Sequence, residues 1–385
     1  MAATVSKAGP YYSSGEIKFS DLRRDFRSQV RKTTSEGSET FSPDPSTDTT
    51  AISAAELLRV TDTTVENPVV PDSTENNDIA TSSNWKLSQF RNSIKFYYIT
   101  QSGTDTNFDI DSQSWNSNLT KNINKVAFID GTCGSNFTSL AAARFNATTY
   151  NLTIDVFGEI YGAGGPGGTL SSPDGGNGGN ALRASSSGGN IVVNVRSSAK
   201  IYAGGGGGAK GATGARGSSG TCVQTTTKSA CINCPGCDSG WYATGGCYDG
   251  WHCSRRQVCG CWGDCWWESD GNTKYKNCRK DTTVLGGPGG EGGNGGHGRG
   301  YNHDLPSPLD GSDGDPGGGH GGCSGSWSPE PSDGDTGDTG GSGGDWASKG
   351  DDTDLASGGS PGKAIFGNNY TVTGSNGSTN IRGDY

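Results

Sequence analysis

The chemistry-bearing residues of this chain crowd into one stretch. Ten of its twelve cysteines lie between Cys222 and Cys278, with Cys133 and Cys323 outside. Within "CINCPGCDSGWYATGGCYDGWHCSRRQVCGCWGDCWWESDGNTKYKNC" the spacings are Cys231-x-x-Cys234-x-x-Cys237 and Cys259-x-Cys261-x-x-x-Cys265, and His252 adjoins Cys253. A thiolate pair two residues apart suits tetrahedral zinc. The density of cysteine, its even count in the insert and the surrounding Trp and Tyr suit instead a small unit that staples itself because it cannot bury a large core. The insert reads as a disulfide-stapled knob with no metal and no cofactor, and the spacing leaves the pairing open.

The aromatic residues of the insert, Trp241, Tyr242, Tyr248, Trp251, Trp262, Trp266 and Trp267, exceed what packing of so small a loop requires. Exposed Trp and Tyr anchor binding surfaces, stacking on a partner while their polar edges hydrogen-bond. Three irregular segments that interrupt the glycine tracts add Tyr301 in "YNHDLPSPLD", Trp327 in "CSGSWSPEPSD" and Trp346 in "DWASKGDDTDL". These ten residues form the expected partner-binding set, with alternate connections emerging at one end beside the knob. Asp333, Asp335, Asp338, Asp351, Asp352 and Asp354 lack the calcium-loop pattern with its terminal Glu and read as a solvated acidic face. The four histidines, at 252, 297, 303 and 320, sit beside no nucleophile motif, so no catalytic residue is assigned and the chain reads as a non-enzyme. A carboxylate pair for glycoside cleavage has no fixed sequence spacing by which to find it.

The elements that carry these residues are unusual in composition. Of 385 residues 67 are glycine, and only 30% are hydrophobic, against about 45–50% in ordinary soluble proteins on a count that includes glycine. No large apolar core follows from this. A formal net charge of −10 leaves no electrostatic footprint for nucleic acid. The first residues lack the apolar centre of a signal peptide, and no apolar run reaches the ~18 residues that would insert in a membrane. Synthesis in a cytoplasm without conventional export is therefore expected.

Glycine is sparse before Gly158 and then recurs with a period of three, as at 208, 211, 214, 217 and 220 and again at 334, 337, 340 and 343. Three residues per turn is the repeat of the polyproline II helix, which has no internal hydrogen bonds. Glycine on two edges lets neighbouring backbones approach until their N–H and C=O groups bond laterally, which satisfies buried polar groups without side chains. In "GGPGGEGGNGGHGRG" the third positions, Glu291, Asn294 and His297, should then point outward. "GAKGATGARGSSG" is too short and lacks the proline of a collagen helix, and a flexible linker is the remaining alternative.

Residues 1–99 hold a weak repeat, "IKFSDLRR", "ISAAELLR" and "WKLSQFRN", each able to make one or two helical turns with an apolar edge. Ile17, Phe19 and Leu22, Ile52 and Leu57, and Trp85, Leu87 and Phe90 supply these edges. Short helices cannot bury a face alone, so they pack on each other or on a partner. From "IKFYYITQ" onward, β-branched and aromatic runs read as strands. The cycles "NLTIDVFGEIYGAGGPGG" and "NIVVNVRSSAKIYAGGGGGAKG" each lead through Ile-Tyr into glycine. The expected fold class is mostly irregular and β with a polyglycine II helix sandwich, a small helical N-terminal attachment region and a cysteine-rich insert. The expected divisions are 1–99, a β-rich connection at 100–160, the sandwich at 161–363 with its insert at 222–278, and a closing strand segment at 364–385.

These features together resemble the adhesins that cap the long tail fibres of T-even-like bacteriophages. The phrases that carry the resemblance are "SSGEIKFSDLRRDF", the pair "EIYGAGGPGG" and "KIYAGGGGGAKG", and the closing "GKAIFGNNYTVTGSNGSTNIRGDY". The cysteine- and tryptophan-rich insert departs from the usual family pattern. The resemblance implies a receptor-binding protein at the fibre tip of a virion, made in the host cytoplasm. Its implied partners are a trimeric tail-fibre protein, met through the three N-terminal repeats, and a host outer-surface protein or glycan.

Overall fold

The computed structural model describes residues 6–8, 30–31, 39–40, 57–61, 70–71, 76–82, 86–90, 96–110, 124–147, 152–231, 236–245, 248–252, 256–259, 265–268, 272–303 and 307–385. They fall into two compact units. Unit 1 comprises Met1–Lys210, Asn294–Gly311 and Gly341–Tyr385, and unit 2 comprises Gly211–Gly293 and Ser312–Gly340. Almost everything described is strand or irregular chain. No α-helix occurs among the described residues, and Leu87–Phe90 forms a 3-10 turn.

Unit 1 begins with short strands: β1 (Ser6–Ala8), β2 (Val30–Arg31), β3 (Glu39–Thr40), β4 (Arg59–Val60) and β5 (Val70–Pro71). The expectation of a small helical N-terminal region is corrected where the chain is described. Arg59–Val60 pairs in parallel with Val70–Pro71, and the Arg59 N–H donates to the Ala80 carbonyl at 2.9 Å. Leu57 and Phe90 are fully buried and Leu87 is half-buried. Ile17, Phe19, Leu22, Ile52 and Trp85 lie outside the described residues.

The body of unit 1 is a parallel β-solenoid in which each turn of chain adds one strand to each of three sheets. The turns are β6 (Phe96–Gln101), β7 (Thr104–Thr106) and β8 (Phe108–Ile110), then β9 (Asn124–Ile129), β10 (Thr132–Gly134) and β11 (Ala143–Ala147). Next come β12 (Leu152–Val156), β13 (Glu159–Tyr161) and β14 (Leu182–Ser186), followed by β15 (Ile191–Val195) and β16 (Lys200–Tyr202). Further along the chain β24 (Ile365–Asn368), β25 (Tyr370–Gly374) and β26 (Ile381–Arg382) complete the stack. The sheet orders are β1-β6-β9-β12-β15-β25, β7-β10-β13-β16-β26 and β8-β11-β14-β24.

The repeated cycles seen in the sequence are successive turns of this solenoid. Leu152, Ile154 and Val156 stand opposite Ile191, Val193 and Val195, and Ile160 stands opposite Ile201. Because strand side chains alternate, one residue in two points inward. Ile99, Ile129 and Ile154 from the first sheet, Cys133, Ile160 and Ile201 from the second, and Phe145, Leu182 and Ile365 from the third share one core. Residues 100–160 and 364–385, expected as a connection and a separate closing segment, are therefore grouped differently, as turns of one stack. Lys125 is enclosed with 0% exposure, and burial lowers its ammonium pKa to about 7.

The glycine tracts leave the solenoid at the same corner of consecutive turns, between β13 and β14 and between β16 and β24. In unit 1 the N–H groups of Gly162, Gly165 and Gly168 donate to the carbonyls of Tyr202, Gly205 and Gly208 at 2.8–2.9 Å. Gly204, Gly207 and Lys210 donate in turn to Gly179, Gly176 and Pro173 at 2.9–3.0 Å. Both partners of each pair of tracts thus advance by three residues per bond. Residues 203–210 are buried along their whole length. A Cβ on Gly207 would collide with the Pro166 carbonyl oxygen, so close approach demands glycine there. The side chains of Asp174, Asn177 and Asn180 continue the same step, each accepting the N–H of Ser357, Ser360 and Lys363 at 2.7–3.0 Å.

Unit 2 contains its own set of such bonds. Gly211, Gly214 and Gly217 donate to Gly293, Gly290 and Gly287, and these donate onward to Asp338, Asp335 and Ser332, all at 2.8–3.0 Å. Glu291 and Asn294 are exposed as the period predicts, whereas His297 is half-buried and stacks on His303 with centroids 4.4 Å apart.

Candidate functional site

The cysteine-rich insert is built on a long antiparallel hairpin of unit 2. β17 (Gly220–Cys231) and β22 (Asn272–Val284) pair from Gly220↔Val284 to Cys231↔Thr273. Their β-branched residues, as in "TCVQTTT" and "DTTV", suit a pleated ladder. On the far edge of β22 lie β18 (Tyr242–Ala243) and β19 (Tyr248–His252), and on the far edge of β17 lies β23 (Ser326–Trp327). A second hairpin joins β20 (Arg256–Cys259) to β21 (Cys265–Glu268).

Among the described residues two disulfides hold the loops to this sheet. Cys237 pairs with Cys278, fastening residues 236–245 to β22. Cys222 pairs with Cys323, so the insert is not self-contained: its first cysteine reaches a partner 101 residues away, on the segment that carries Trp327. Gln224 also bonds to Ser324.

Register assigns the residues of the sheet to unlike faces. Tyr242, Arg279 and Thr225 stand level with one another, and Asn277 stands level with Thr227. On this face the Tyr242 hydroxyl donates to Asp281 Oδ2 at 2.7 Å and Arg279 Nε donates to Asp281 Oδ1 at 2.6 Å. The Arg279 bond, then that of Tyr242, holds the Asp281 carboxyl below its ordinary range, and the Asp281 bond raises the Tyr242 phenol. Tyr242 remains 48% exposed, and Thr225, Thr227 and Asn277 are exposed as well. The opposite face is partly closed: Cys278 is buried at 1% exposure, and Lys228 Nζ meets Asp238 at 2.6 Å. What the open face offers a ligand is a phenol ring, hydroxyl and amide groups, and one guanidinium already neutralised by its carboxylate.

The ten expected receptor residues are divided between the two units. In unit 2, Trp241 is half-buried beside Tyr242. Trp327, also half-buried, takes the edge of the His320 ring at 5.4 Å and 88°. Tyr248 and Trp251 belong to β19, and Trp266 and Trp267 to β21, which fixes their strand positions; Trp262 lies outside the described residues. Tyr301 and Trp346 belong to unit 1. Tyr301 lies over Gly134, where a Cβ would strike its ring. Trp346 stacks on Tyr161 at 5.1 Å and 24°, with the Arg299 guanidinium over its ring at 5.4 Å.

Sequence reasoning missed Asn277, Arg279 and Asp281. The Arg-x-Asp spacing was visible, but two residues sharing one strand face mean something only once a strand is established. Among the described residues no group of three His, Cys, Asp or Glu is placed to hold a metal, and no described helix is long and apolar enough to cross a membrane.

In unit 2 the arrangement is an exposed polar and aromatic sheet face. Residues 96–265 match the family model described as phage tail fibre adhesin Gp38, from the first strand of the solenoid into the cysteine-rich insert. Over those residues the match agrees with the resemblance carried by the sequence phrases. No curated protein sequence matches the chain. Among solved structures, the crystal structure of the gp37-gp38 adhesin tip complex of the bacteriophage S16 long tail fiber is similar at 15% identity and a TM-score of 0.29, over 79% of this chain and 88% of that one.

Proposed function

We propose that this chain is the receptor-binding adhesin at the tip of a phage tail fibre. The observation that carries the reading is the adhesin-family match, which runs from the solenoid into the insert whose open sheet face bears Tyr242, Arg279 and Asp281. On this reading the glycine tracts are polyglycine II helices forming a sandwich. Lateral bonds that advance by three residues on both partners support it, since that helix has three residues per turn and no internal bonds.

Unit 2 is the receptor-contacting part. Its open face fits a host outer-surface protein or glycan, because exposed aromatic and hydroxyl groups contact sugars or peptide loops without a large apolar patch. The N-terminal region caps a trimeric fibre protein through its three repeats, with Ile17, Phe19 and Leu22, Ile52, and Trp85 and Leu87 as the contact residues, while Leu57 and Phe90 are packed inside this chain.

The test is binding of purified full-length protein to whole host cells. Replacing Tyr242 and Arg279 of the open face together by alanine should weaken binding at least about tenfold, as expected for anchor residues, and abolish competition with phage adsorption. Binding equal to that of the unchanged protein would instead favour a rigid spacer with no receptor of its own.

A further inference from the structure

We infer that the Cys237–Cys278 and Cys222–Cys323 disulfides of unit 2 act as a redox gate on binding, so that a chain made with free thiols becomes competent only on oxidation. The inference rests on the reading of unit 2 as the receptor-contacting part. It arises from where the disulfides lie relative to the residues that would make contact.

The long ladder between β17 and β22 needs no cross-link to persist, since it carries backbone pairing from Gly220↔Val284 to Cys231↔Thr273. The segments bearing the contact aromatics are held differently. Trp241 and Tyr242 ride on residues 236–245, which touch β22 through the two ladder residues Tyr242 and Ala243, the Thr244 N–H to the Asn277 carbonyl and the Tyr242 hydroxyl to Asp281, and reach β17 through the Lys228–Asp238 ion pair. Trp327 rides on residues 319–331, which meet β17 at Cys222↔Trp327 and Val223↔Ser326, through two backbone bonds between Thr221 and Ser328–Pro329 and through the Gln224–Ser324 bond. Pairings of two residues are marginal by themselves. In each case the one covalent attachment seen among the described residues is a disulfide, with a sequence separation of 41 residues for Cys237–Cys278 and 101 for Cys222–Cys323. The constraint such a bond places on the open chain grows with the loop it closes.

Unit 1 offers no comparable device among its described residues. Its Cys133 is unpaired and fully buried. Burial, reinforced by Asp105, pushes its thiol up to about 12, and a thiol without thiolate character does not exchange. Redox sensitivity therefore falls on the contact segments and spares the solenoid.

The chemistry balances with a low-molecular-weight disulfide as oxidant. One protein thiolate attacks a sulfur of that disulfide, forming a mixed disulfide and releasing one small thiol. The second protein thiolate then attacks the protein sulfur of the mixed disulfide, forming the cystine and releasing the second small thiol. The protein pair loses two electrons, the oxidant gains them, and the two protein protons end on the two released thiols. A reducing cytoplasm keeps the pairs open, and a medium outside the cell lets them close. A particle assembled in such a cytoplasm would carry a silent tip until release.

The experiment compares full-length protein in its oxidised form with the same protein reduced and alkylated, by amide hydrogen exchange and by binding to host cells. On reduction, exchange should rise at least about tenfold in 236–245 and 319–331, with the solenoid strands unchanged, and cell binding should fall at least about tenfold. Omitting the alkylation and adding oxidised glutathione should restore both. The double variant Cys222→Ser with Cys323→Ser should loosen 319–331 alone, and Cys237→Ser with Cys278→Ser should loosen 236–245 alone. Exchange that stays unchanged on reduction, or reduced protein that binds as well as oxidised protein, overturns the gate. If exchange rises but neither form binds cells, the adhesin reading fails while the redox device in unit 2 stands.

Discussion

The solenoid and the glycine tracts of unit 1 satisfy the same requirement by opposite means. In the solenoid, backbone bonds run between strands and the structure is held by side chains, with Ile154, Ile160 and Leu182 among those filling one apolar core. In the tracts the backbones themselves are the packed interior, and the N–H of Gly165 reaches the Gly205 carbonyl at 2.8 Å with no side chain between. The difference explains how a chain that is only 30% hydrophobic can fold. Burial of apolar surface is the dominant drive where it is available, and where it is not, close lateral hydrogen bonding meets the demand that buried polar groups be paired.

The contrast predicts opposite sensitivities to side-chain volume. Gly207→Val should be the most damaging change, because the added carbons meet the Pro166 backbone and rigid backbone cannot give way as a side chain can. A loss of more than about 3 kcal/mol is expected, read as the shift of the thermal or denaturant midpoint. Ile154→Ala removes volume from the solenoid and should cost about 3 kcal/mol. If the valine were tolerated and the alanine were not, the two regions would not differ as described.

Lys125 sharpens the comparison through pH, since an ionisable group inside the solenoid has no counterpart in the tract 203–210 other than Lys210. Its folded pKa, about 7, lies below the ordinary value of 10.5. The unfolded chain therefore binds the proton first, and stability should fall as pH drops from about 10 toward 7, then level off. Lys125→Met should flatten that slope and raise the melting temperature at neutral pH; an unchanged pH profile would count against the assignment.

The smallest effects should come from the edges of the tracts. Asn177→Ala removes the acceptor for the Ser360 N–H and should cost about 1 kcal/mol. Glu291→Ala, at an exposed third position, should stay within about 0.5 kcal/mol of the parent. A large loss at Glu291 would mean that the third positions are not free of the packing.

Parts of this architecture were legible in the residues. The three-residue glycine period anticipated the three-residue step of the lateral bonds, because a repeat in sequence becomes a repeat in space wherever each residue sits in the same conformation. The cycles ending in Ile-Tyr were visible too, but their meaning was not. Strand-like runs do not announce their partners, and only the pairing of Leu152 with Ile191 and of Ile191 with Tyr370 turns them into a solenoid. Tyr161 and Tyr202, the two tyrosines of those cycles, meet at 5.7 Å and surround Trp346, which composition alone had offered as a free contact residue.

The sequence by itself determined the low apolar content, the period of three, the clustering of cysteine and aromatic residues, and the phrases shared with tail-fibre adhesins. Those are properties of composition and spacing, and no contact is needed to read them. The tertiary structure decided which cysteines join, which aromatics pack and which stay exposed, and that Tyr242, Arg279 and Asp281 form one network. Each of these depends on register and on chain segments brought together over long separations, such as Cys222 with Cys323, and no local pattern encodes where a distant partner will lie.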